Sequence, residues 1–195
     1  MNIFFLNGIF PTFEALVLTE NYYVCNMKKL GIEFYSQDAV RVAEKLLGKI
    51  LVRRWDDGTE TRYRITETEA YLGEEDKACH ASKGRTPRTE IMYSEGGKVY
   101  VYLIYGMYWM LNIVTGEENH PQAVLIRGID NITGSGKVGR ELKMDKSFYA
   151  EDLLASDRLW IEDTPEIANF KTAPRVGIDY AGEEWRDKPW RFMMI

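Results

Sequence analysis

The sequence has few cysteines and few histidines, and this scarcity limits the kinds of site that it can build. Only Cys25, Cys79 and two histidines occur among 195 residues. The cysteines are far apart, form neither a CxxC motif nor the Cys/His spacing of a zinc site, and are too few for a secreted disulfide scaffold. We therefore interpret the chain as a cytoplasmic protein that uses no metal and no cofactor.

Long apolar runs and internal repeats are also lacking. Residues 1–26 are apolar, but three residues, Pro11, Glu14 and Glu20, interrupt them, so they form neither a good signal peptide nor a membrane span. Met27 opens the segment MKKLGIEF and is a more natural beginning. We expect residues 1–35 to form an N-terminal extension, in which the part before Met27 is either loosely packed or an artefact of start-site choice.

An excess of positive charge is missing as well. The formal net charge is −5 and the isoelectric point is about 5.2, so any nucleic-acid partner must be bound by a local basic face. Hydrophobic residues make up 45% and charged residues 28% of the chain, a balance that is typical of globular proteins. A length of 195 residues favours one domain around one buried core.

The pattern of apolar residues and turn signals predicts an α+β fold. SQDAVRVAEKLLG has apolar residues at helical spacing, Ser36 as its cap and Gly48 as its stop, and predicts an amphipathic helix. KILVRRW and TRYRITETEAY flank the turn DDG at 56–58 and predict a β-hairpin. Gly106 divides a second apolar run into two more strands. Further strands are predicted in QAVLIRGI, RLWIED, RVGIDY and KPWRFMM, and a helix in GSGKVGRELKM. No strand–helix–strand rhythm is present, so we expect one mixed domain.

Residues 65–80, ITETEAYLGEEDKACH, concentrate reactive side chains. Period-two alternation along the second predicted strand places five side chains on one face: Tyr63, Ile65, Glu67, Glu69 and Tyr71. A carboxylate beside aromatic rings can have its pKa adjusted by burial and act as a general base. An ordinary solvated strand face explains either glutamate just as simply, and spacing does not decide between them. From the residues alone, His80 is interpreted as a structural histidine and Cys79 as a small buried residue.

Tyr105 is predicted at the tip of the hairpin that turns at Gly106. An exposed aromatic side chain is costly unless it docks onto something, and wedging between DNA base steps is one such use. Basic residues cluster in two segments although the chain is acidic: Lys83, Arg85, Arg88, Lys137, Arg140, Lys143 and Lys146. These clusters suit phosphate contacts, although a solvated charged face explains each cluster equally well when it is taken alone.

Several segments together resemble one enzyme family. They are ETEAYLG, the later His80, TPRTEIM, YVYLIYGMYWMLNIV, VLIRGI, KSFYAEDL and RVGIDYAGEEWRDKPWRF. In this order, from about Ser36 to Phe192, they resemble the alkyladenine (3-methyladenine) DNA glycosylases. The resemblance implies a DNA glycosylase domain over residues 36–195. It also implies a curved antiparallel β-sheet with flanking helices and a protruding β-hairpin.

The resemblance implies an activity as well. Enzymes of this family flip alkylated purines such as 3-methyladenine and 7-methylguanine out of duplex DNA and hydrolyse the N-glycosidic bond, leaving an abasic site. We expect a monofunctional hydrolase without lyase activity, acting as a monomer. Its partner would be double-stranded DNA that carries alkylated or deaminated purines, and no membrane would be involved.

Residue roles are carried over by matching positions in the family's motifs. The general base is Glu69, and Arg127 and the backbone carbonyl of Val176 hold the attacking water with it. The residues that contact the flipped base are Tyr71 and Tyr102, which stack on it, His80 on the pocket wall, and Asn112, which discriminates against a 2-amino group. Tyr105 fills the gap left in the duplex, with Met107 beside it. The residues expected to contact the DNA backbone are Lys83, Arg85, Arg88, Lys137 and Arg140.

Two departures and two rival functions accompany this interpretation. The chain has Gly134-Ser135-Gly136 where the family commonly has Gly-Pro-Gly, and it ends soon after Phe192. A non-catalytic RNA-binding module would use the basic loops and the exposed aromatic residue but would not need Glu69. A small-molecule nucleoside hydrolase would need Glu69 but would have no use for Tyr105.

Overall fold

The computed structural model of the chain describes residues 28–195, so the predictions for the segment before Met27 lie outside it. Within this range nine strands form the framework: β1 (Ile50–Arg54), β2 (Glu60–Leu72), β3 (Val99–Ile104), β4 (Tyr108–Thr115), β5 (Gln122–Ile129), β6 (Ile132–Thr133), β7 (Leu159–Glu162), β8 (Phe170–Ala173) and β9 (Arg191–Met194). The helices are α1 (Ile32–Tyr35), α2 (Ala39–Leu46), α3 (Ser135–Glu141) and α4 (Glu183–Arg186). Short 3₁₀ turns cover His80–Lys83, Glu90–Tyr93, Lys146–Phe148 and Asp179–Ala181.

The strands form one open sheet in the order β3-β4-β5-β2-β1-β7, with β6 added to β5, β9 added to β2, and β8 added to β9. Every pairing is antiparallel. The predictions of a single α+β domain and of both hairpins, β1–β2 and β3–β4, are confirmed. Long β2 pairs with three neighbours, which places its middle residues at the centre of the molecule.

The main core lies between α2 and the sheet. Helix α2 buries Val42, Ala43 and Leu46, and these side chains belong to one apolar cluster with Ile65 and Ile126 of the sheet. Fully burying a side chain of the size of Val42 or Leu46 stabilises the fold by about 1.5–3 kcal/mol. The helix therefore fixes the position of β2 and β5, the two strands that carry the candidate catalytic groups.

Helix α2 is capped by Asp38 and not by the predicted Ser36. The Asp38 carboxylate accepts the backbone N–H of Arg41 at 3.0 Å. Ser36 instead follows α1, where its hydroxyl donates to the carbonyl of Ile32 at 2.9 Å. The cap prediction was wrong because serine and aspartate both fit the signal for a helix start, and the two lie only two residues apart.

The β2–β5 pairing contains two bulges that strand alternation does not reveal. The register shifts between Ile65 and Glu67, where β2 carries an extra residue. It shifts again between Glu67 and Thr68, where β5 carries the extra residue, Arg127. Thr68 consequently faces α2 and donates its hydroxyl to the carbonyl of Ala43 at 2.7 Å.

The bulges separate side chains that were predicted to share a face. Tyr63 and Ile65 pack into the main core. Glu67, Glu69 and Tyr71 instead make polar contacts away from that core. The prediction of one common face is wrong for the first pair, because one extra residue reverses the alternation. It holds for Glu69 and Tyr71.

The late part of the chain differs from prediction at two segments. The predicted strands in RLWIED and KPWRFMM are confirmed as β7 and β9. RVGIDY is not a strand: residues 175–178 are irregular and lead into the 3₁₀ turn Asp179–Ala181. Gly177 has φ +76°, a left-handed conformation that interrupts an extended chain. Strand β8, which pairs with β9, was not predicted.

Residues 28–35 pack on the same domain. Leu30 and Tyr35 are 6% and 0% exposed and belong to the main core, and Lys29 forms an isolated antiparallel bridge with Glu162. The boundary of the N-terminal extension at residue 35 stays a prediction. Among residues 28–195, no helix combines the length and the apolar character that crossing a bilayer requires.

Candidate active site

A cavity of about 220 Å³ opens between β2, the β3–β4 hairpin and the irregular segment 175–181. Seven of its lining residues are the predicted catalytic and base-binding residues: Glu69, Tyr71, His80, Tyr102, Asn112, Arg127 and Val176. These residues come from four separate parts of the chain. The cavity is smaller than the roughly 300–1,000 Å³ of pockets for drug-sized ligands, so it suits a small ligand.

Glu69 lies at the inner wall of this cavity and is 0% exposed. Its carboxylate accepts the backbone N–H of Val176 and the hydroxyl of Tyr71, each at 2.9 Å. The Nε of Arg127 lies 3.6 Å from the same carboxylate. Burial raises the pKa of Glu69, while the Val176 N–H and the charge of Arg127 partly oppose that rise. A carboxylate in this state can accept a proton at neutral pH.

Val176 contacts Glu69 through its backbone N–H. The resemblance implies another role, holding the attacking water, for the backbone carbonyl of the same residue. Gly177, with φ +76°, follows directly and turns the chain along the cavity. The role of the carbonyl stays a prediction.

Arg127 is held by a second carboxylate, Glu67, which is 5% exposed. The Nε of Arg127 donates to Oε1 of Glu67 at 2.9 Å, closer than its approach to Glu69. Nη1 of Arg191 reaches the same oxygen at 3.2 Å. Glu67 does not line the cavity. It is linked to Glu69 through Arg127 and also through Arg191, which pairs with Glu69 between β2 and β9. The two glutamates therefore have different environments, although the sequence presents them alike.

Tyr71, Tyr102 and His80 form the aromatic part of the cavity wall. The rings of His80 and Tyr102 pack edge to face with centroids 4.5 Å apart. The Nδ1 of His80 shares a hydrogen bond with the hydroxyl of Tyr100 at 2.8 Å. Burial and the charges of two basic residues lower the pKa of His80 to about 4, so its imidazole is neutral at pH 7. His80 therefore forms part of the cavity wall without bringing a positive charge to it.

Asn112 lies deep in the cavity and is 3% exposed. Its side-chain N–H₂ group donates to the carbonyl of Tyr100 at 3.1 Å and to that of Met110 at 3.4 Å. These two bonds fix the orientation of the amide. The carbonyl of Tyr100 is within reach because Tyr100 is the cross-strand partner of Asn112 in the β3–β4 hairpin.

The residues at the tip of the β3–β4 hairpin, 105–107, do not line the cavity. Tyr105 and Gly106 both have positive φ, 52° and 67°, as a tight hairpin turn requires. Tyr105 is 89% exposed and Met107 is 65% exposed. Two large apolar side chains at one exposed tip are the kind of feature that marks an interaction site.

Comparison with known proteins identifies the family. The model of the family "Methylpurine-DNA glycosylase (MPG)" matches residues 33–134 and 130–195. The chain belongs to this family. A relative from Desulfitobacterium hafniense (strain Y51) is 44% identical over 196 residues, covering 86% of this chain and 96% of the relative. One from Methanocella arvoryzae (strain DSM 22066 / NBRC 105507 / MRE50) is 42% identical over 186 residues, covering 85% and 92%. Both bear the name "Putative 3-methyladenine DNA glycosylase".

Family membership makes this protein a DNA glycosylase, a hydrolase of base-excision DNA repair whose substrate is DNA. Residues 28–195 of this glycosylase contain no group of three or more His, Cys, Asp or Glu side chains that could hold a metal ion.

The basic residues predicted to contact the DNA backbone differ in whether an ion pair within the protein neutralises their charge. All five are exposed: Lys83, Arg85, Arg88, Lys137 and Arg140. The guanidinium of Arg85 makes a bidentate ion pair with Glu90 at 2.9 and 2.8 Å, and this pair neutralises its charge. The other four form no ion pair within residues 28–195. Helix α3 begins at Ser135 and places Arg140 over the ring of Tyr108, 5.8 Å from its centroid.

Sequence reasoning missed a buried ion pair beside the site of this glycosylase. The side chains of Arg175 and Asp76 are both 0% exposed and are joined by two hydrogen bonds of 2.5 and 2.9 Å. The guanidinium of Arg175 also lies 4.7 Å from the centroid of the Tyr71 ring. Arg175 directly precedes Val176, so this pair holds the segment whose N–H contacts Glu69. The only signal in the sequence was the arginine in RVGIDY.

Proposed function

We propose that this glycosylase flips alkylated purines, 3-methyladenine and 7-methylguanine among them, out of duplex DNA and hydrolyses the N-glycosidic bond with a water activated by Glu69. The observation that carries the proposal is a buried carboxylate with a raised pKa in a base-sized cavity walled by two tyrosines and a neutral histidine. The names of the relatives support the same substrate class.

In the reaction, Glu69 takes a proton from water as the oxygen attacks the sugar C1′, and the bond from C1′ to the base breaks. The transition state resembles an oxocarbenium ion, so the negative charge of Glu69 also stabilises the sugar. Hydrogen bonds from Val176 and Tyr71 fix both carboxylate oxygens in place. The charge of Arg127, at 3.6 Å, lowers the pKa of Glu69 and so favours its ionised form.

Alkylation at N3 or N7 gives the purine a positive charge, so the base departs as a neutral molecule and needs no proton from the enzyme. The neutral imidazole of His80, with its pKa near 4, fits a wall that packs against the base without protonating it. Tyr71 and Tyr102 would stack on the flipped base. We further propose that Asn112, fixed by its two hydrogen bonds, excludes purines with a 2-amino group.

Base flipping needs a side chain that fills the space left in the duplex by the extruded base. Extrusion costs a few kcal/mol, least for a damaged pair. Tyr105 and Met107 at the exposed hairpin tip would fill the gap. Lys83, Arg88 and the basic residues of α3 would contact phosphates, whereas Arg85 is less available because Glu90 holds it.

The absence of lyase activity is part of the proposal. A Schiff-base lyase needs an amine nucleophile at the sugar, and no lysine within residues 28–195 lines the cavity. We propose a monofunctional, monomeric, cytoplasmic enzyme that works without a cofactor.

The test is release of bases by the wild-type protein without magnesium from three substrates: methylated duplex DNA, free methylated nucleosides and methylated RNA. We expect release of methylated purines from the duplex, no hydrolysis of nucleosides, and no protein–DNA adduct after borohydride treatment. Tyr105→Ala should lower release from duplex DNA much more than release from single-stranded DNA.

Two results would replace this proposal with a rival. Hydrolysis of free nucleosides with the duplex untouched, and no effect of Tyr105→Ala, would identify a nucleoside hydrolase. Binding of RNA without release of any base would identify a binding module. A borohydride-trapped adduct would overturn the monofunctional assignment.

A further inference from the structure

We propose that Arg88, stacked on the face of Tyr102 turned away from the cavity, determines how strongly this glycosylase prefers cationic over neutral purines. Its charge weakens the preference of the cavity for a cationic base over a neutral one. This inference rests on the proposed function, because it concerns the base that the cavity holds.

Both stacking tyrosines have an arginine on one ring face. The guanidinium carbon of Arg88 lies 5.0 Å from the centroid of Tyr102, and that of Arg175 lies 4.7 Å from the centroid of Tyr71. Neither arginine lines the cavity, although both tyrosines do. Arg88 instead lines a separate depression on the other side of Tyr102. Each guanidinium therefore covers the ring face opposite to the one available to a base.

A guanidinium on the outer face changes what the inner face attracts. The face of an aromatic ring is negative and attracts a cation placed over it. When one face already holds a cation, the ring's electron density is drawn toward that side, and a second cation on the other face is repelled. A stacked base would lie about 3.5–4 Å from the inner face. The charge of Arg88 and that of a cationic purine would then be roughly 9 Å apart, within a Debye length of about 10 Å.

The two arginines differ in how far their charges are compensated. Arg175 is fully buried and paired with Asp76, so the pair as a whole carries no net charge. Arg88 is exposed and has no carboxylate partner among residues 28–195. Its field reaches the cavity wall, since the charge of Arg88 contributes to the lowered pKa of His80. Of the two arginines stacked on the tyrosines, Arg88 is therefore the one whose charge is not compensated by a carboxylate.

The role differs from the phosphate contact predicted for the basic loop. A residue that only binds phosphate affects every duplex alike, whatever the lesion. A residue that acts through Tyr102 changes the ratio between a charged and a neutral lesion. This ratio separates the two roles.

The experiment compares single-turnover release of 3-methyladenine, a cationic lesion, with that of hypoxanthine, a neutral one, from duplex DNA. Neither base has a 2-amino group, so Asn112 does not bias the comparison. The variants are Arg88→Met, which keeps the length of the side chain without its charge, and Arg88→Lys, which keeps the charge. Arg85→Met is the matched control, since Arg85 belongs to the same loop but stacks on Tyr93, which does not line the cavity.

We expect Arg88→Met to raise the ratio of 3-methyladenine to hypoxanthine release by about 3- to 10-fold, the range of a modest cation–π energy. Arg88→Lys and Arg85→Met should leave this ratio within about twofold of the wild-type value, even where both rates change together. An unchanged ratio in Arg88→Met would overturn the inference, as would an equal rise in Arg85→Met. A wild-type protein that releases 3-methyladenine but no hypoxanthine would also overturn it. Failure of the wild type to release either base would instead refute the proposed function.

Discussion

Replacing Asp76 by asparagine should destabilise the fold more than the loss of any surface ion pair. Asp76 is 0% exposed and accepts hydrogen bonds from the backbone N–H groups of Leu72 at 3.1 Å and Ala78 at 3.0 Å. It also accepts two from the guanidinium of Arg175, at 2.5 and 2.9 Å. Asparagine has a similar shape but turns an N–H₂ group toward one of these donors.

The size of the effect follows from the charge that remains. After Asp76→Asn, Arg175 stays buried without a counter-ion, because its other polar contacts are the carbonyls of Ala70 and Trp185. Breaking a buried ion pair by removing one partner costs about 3–5 kcal/mol. For a chain of this length each kcal/mol lowers the melting temperature by roughly 2–4 °C, so we expect a fall of about 6–20 °C.

The assay is urea unfolding of wild type and Asp76→Asn, with Asp187→Asn as the matched control. Asp187 pairs with Arg186, but these side chains are 60% and 38% exposed, so its loss should leave the unfolding midpoint close to the wild-type value. The double variant Asp76→Leu/Arg175→Met should be more stable than Asp76→Asn, since no charge is left buried. A cost below about 1 kcal/mol for Asp76→Asn would refute this reasoning.

Two further predictions concern the pH profile and the packing of α3. Glu69 must be ionised to act as a base, and burial raises its pKa, so the rate of base release should rise with pH through a value above the ordinary 4.5. Because Arg127 lowers that pKa, Arg127→Met should move the acid limb of the single-turnover pH–rate profile to higher pH; a move to lower pH would contradict the argument. A Cβ at Gly139 would lie 1.8 Å from the carbonyl oxygen of Trp109. Gly139→Ala should therefore lower the free energy of unfolding, measured in urea, by about 1–3 kcal/mol or more. An unchanged midpoint would show that α3 can shift freely.

The parts of the fold that local signals specify could be predicted from the sequence. The turn residues at 56–58 and at Gly106 specified both hairpins, and apolar spacing specified α2. The bulges in the β2–β5 pair were not predictable, because they depend on how two strands far apart in the sequence align. For the same reason alternation alone placed Ile65 on the face of Glu69.

The candidate site depended on family motifs more than on local pattern. Strand alternation joined Glu69 to Tyr71, and their hydrogen bond at 2.9 Å agrees with it. Nothing in the local sequence distinguished Glu69 from Glu67, because the difference arises from contacts with Val176 and Arg127 across the fold. The buried pair behind Tyr71 joins residues 99 positions apart, which no periodicity could reveal.

The central claim is that Glu69 activates the water that releases the base. The most direct measurement is single-turnover release of methylated purines from duplex DNA by wild type, Glu69→Gln and Glu67→Gln, together with the affinity of each protein for the same duplex. Glu69→Gln should bind the duplex within a few-fold of the wild-type affinity but release the base about 10²–10⁴-fold more slowly, while Glu67→Gln should lose far less of the release rate. Release by Glu69→Gln at the wild-type rate would contradict it.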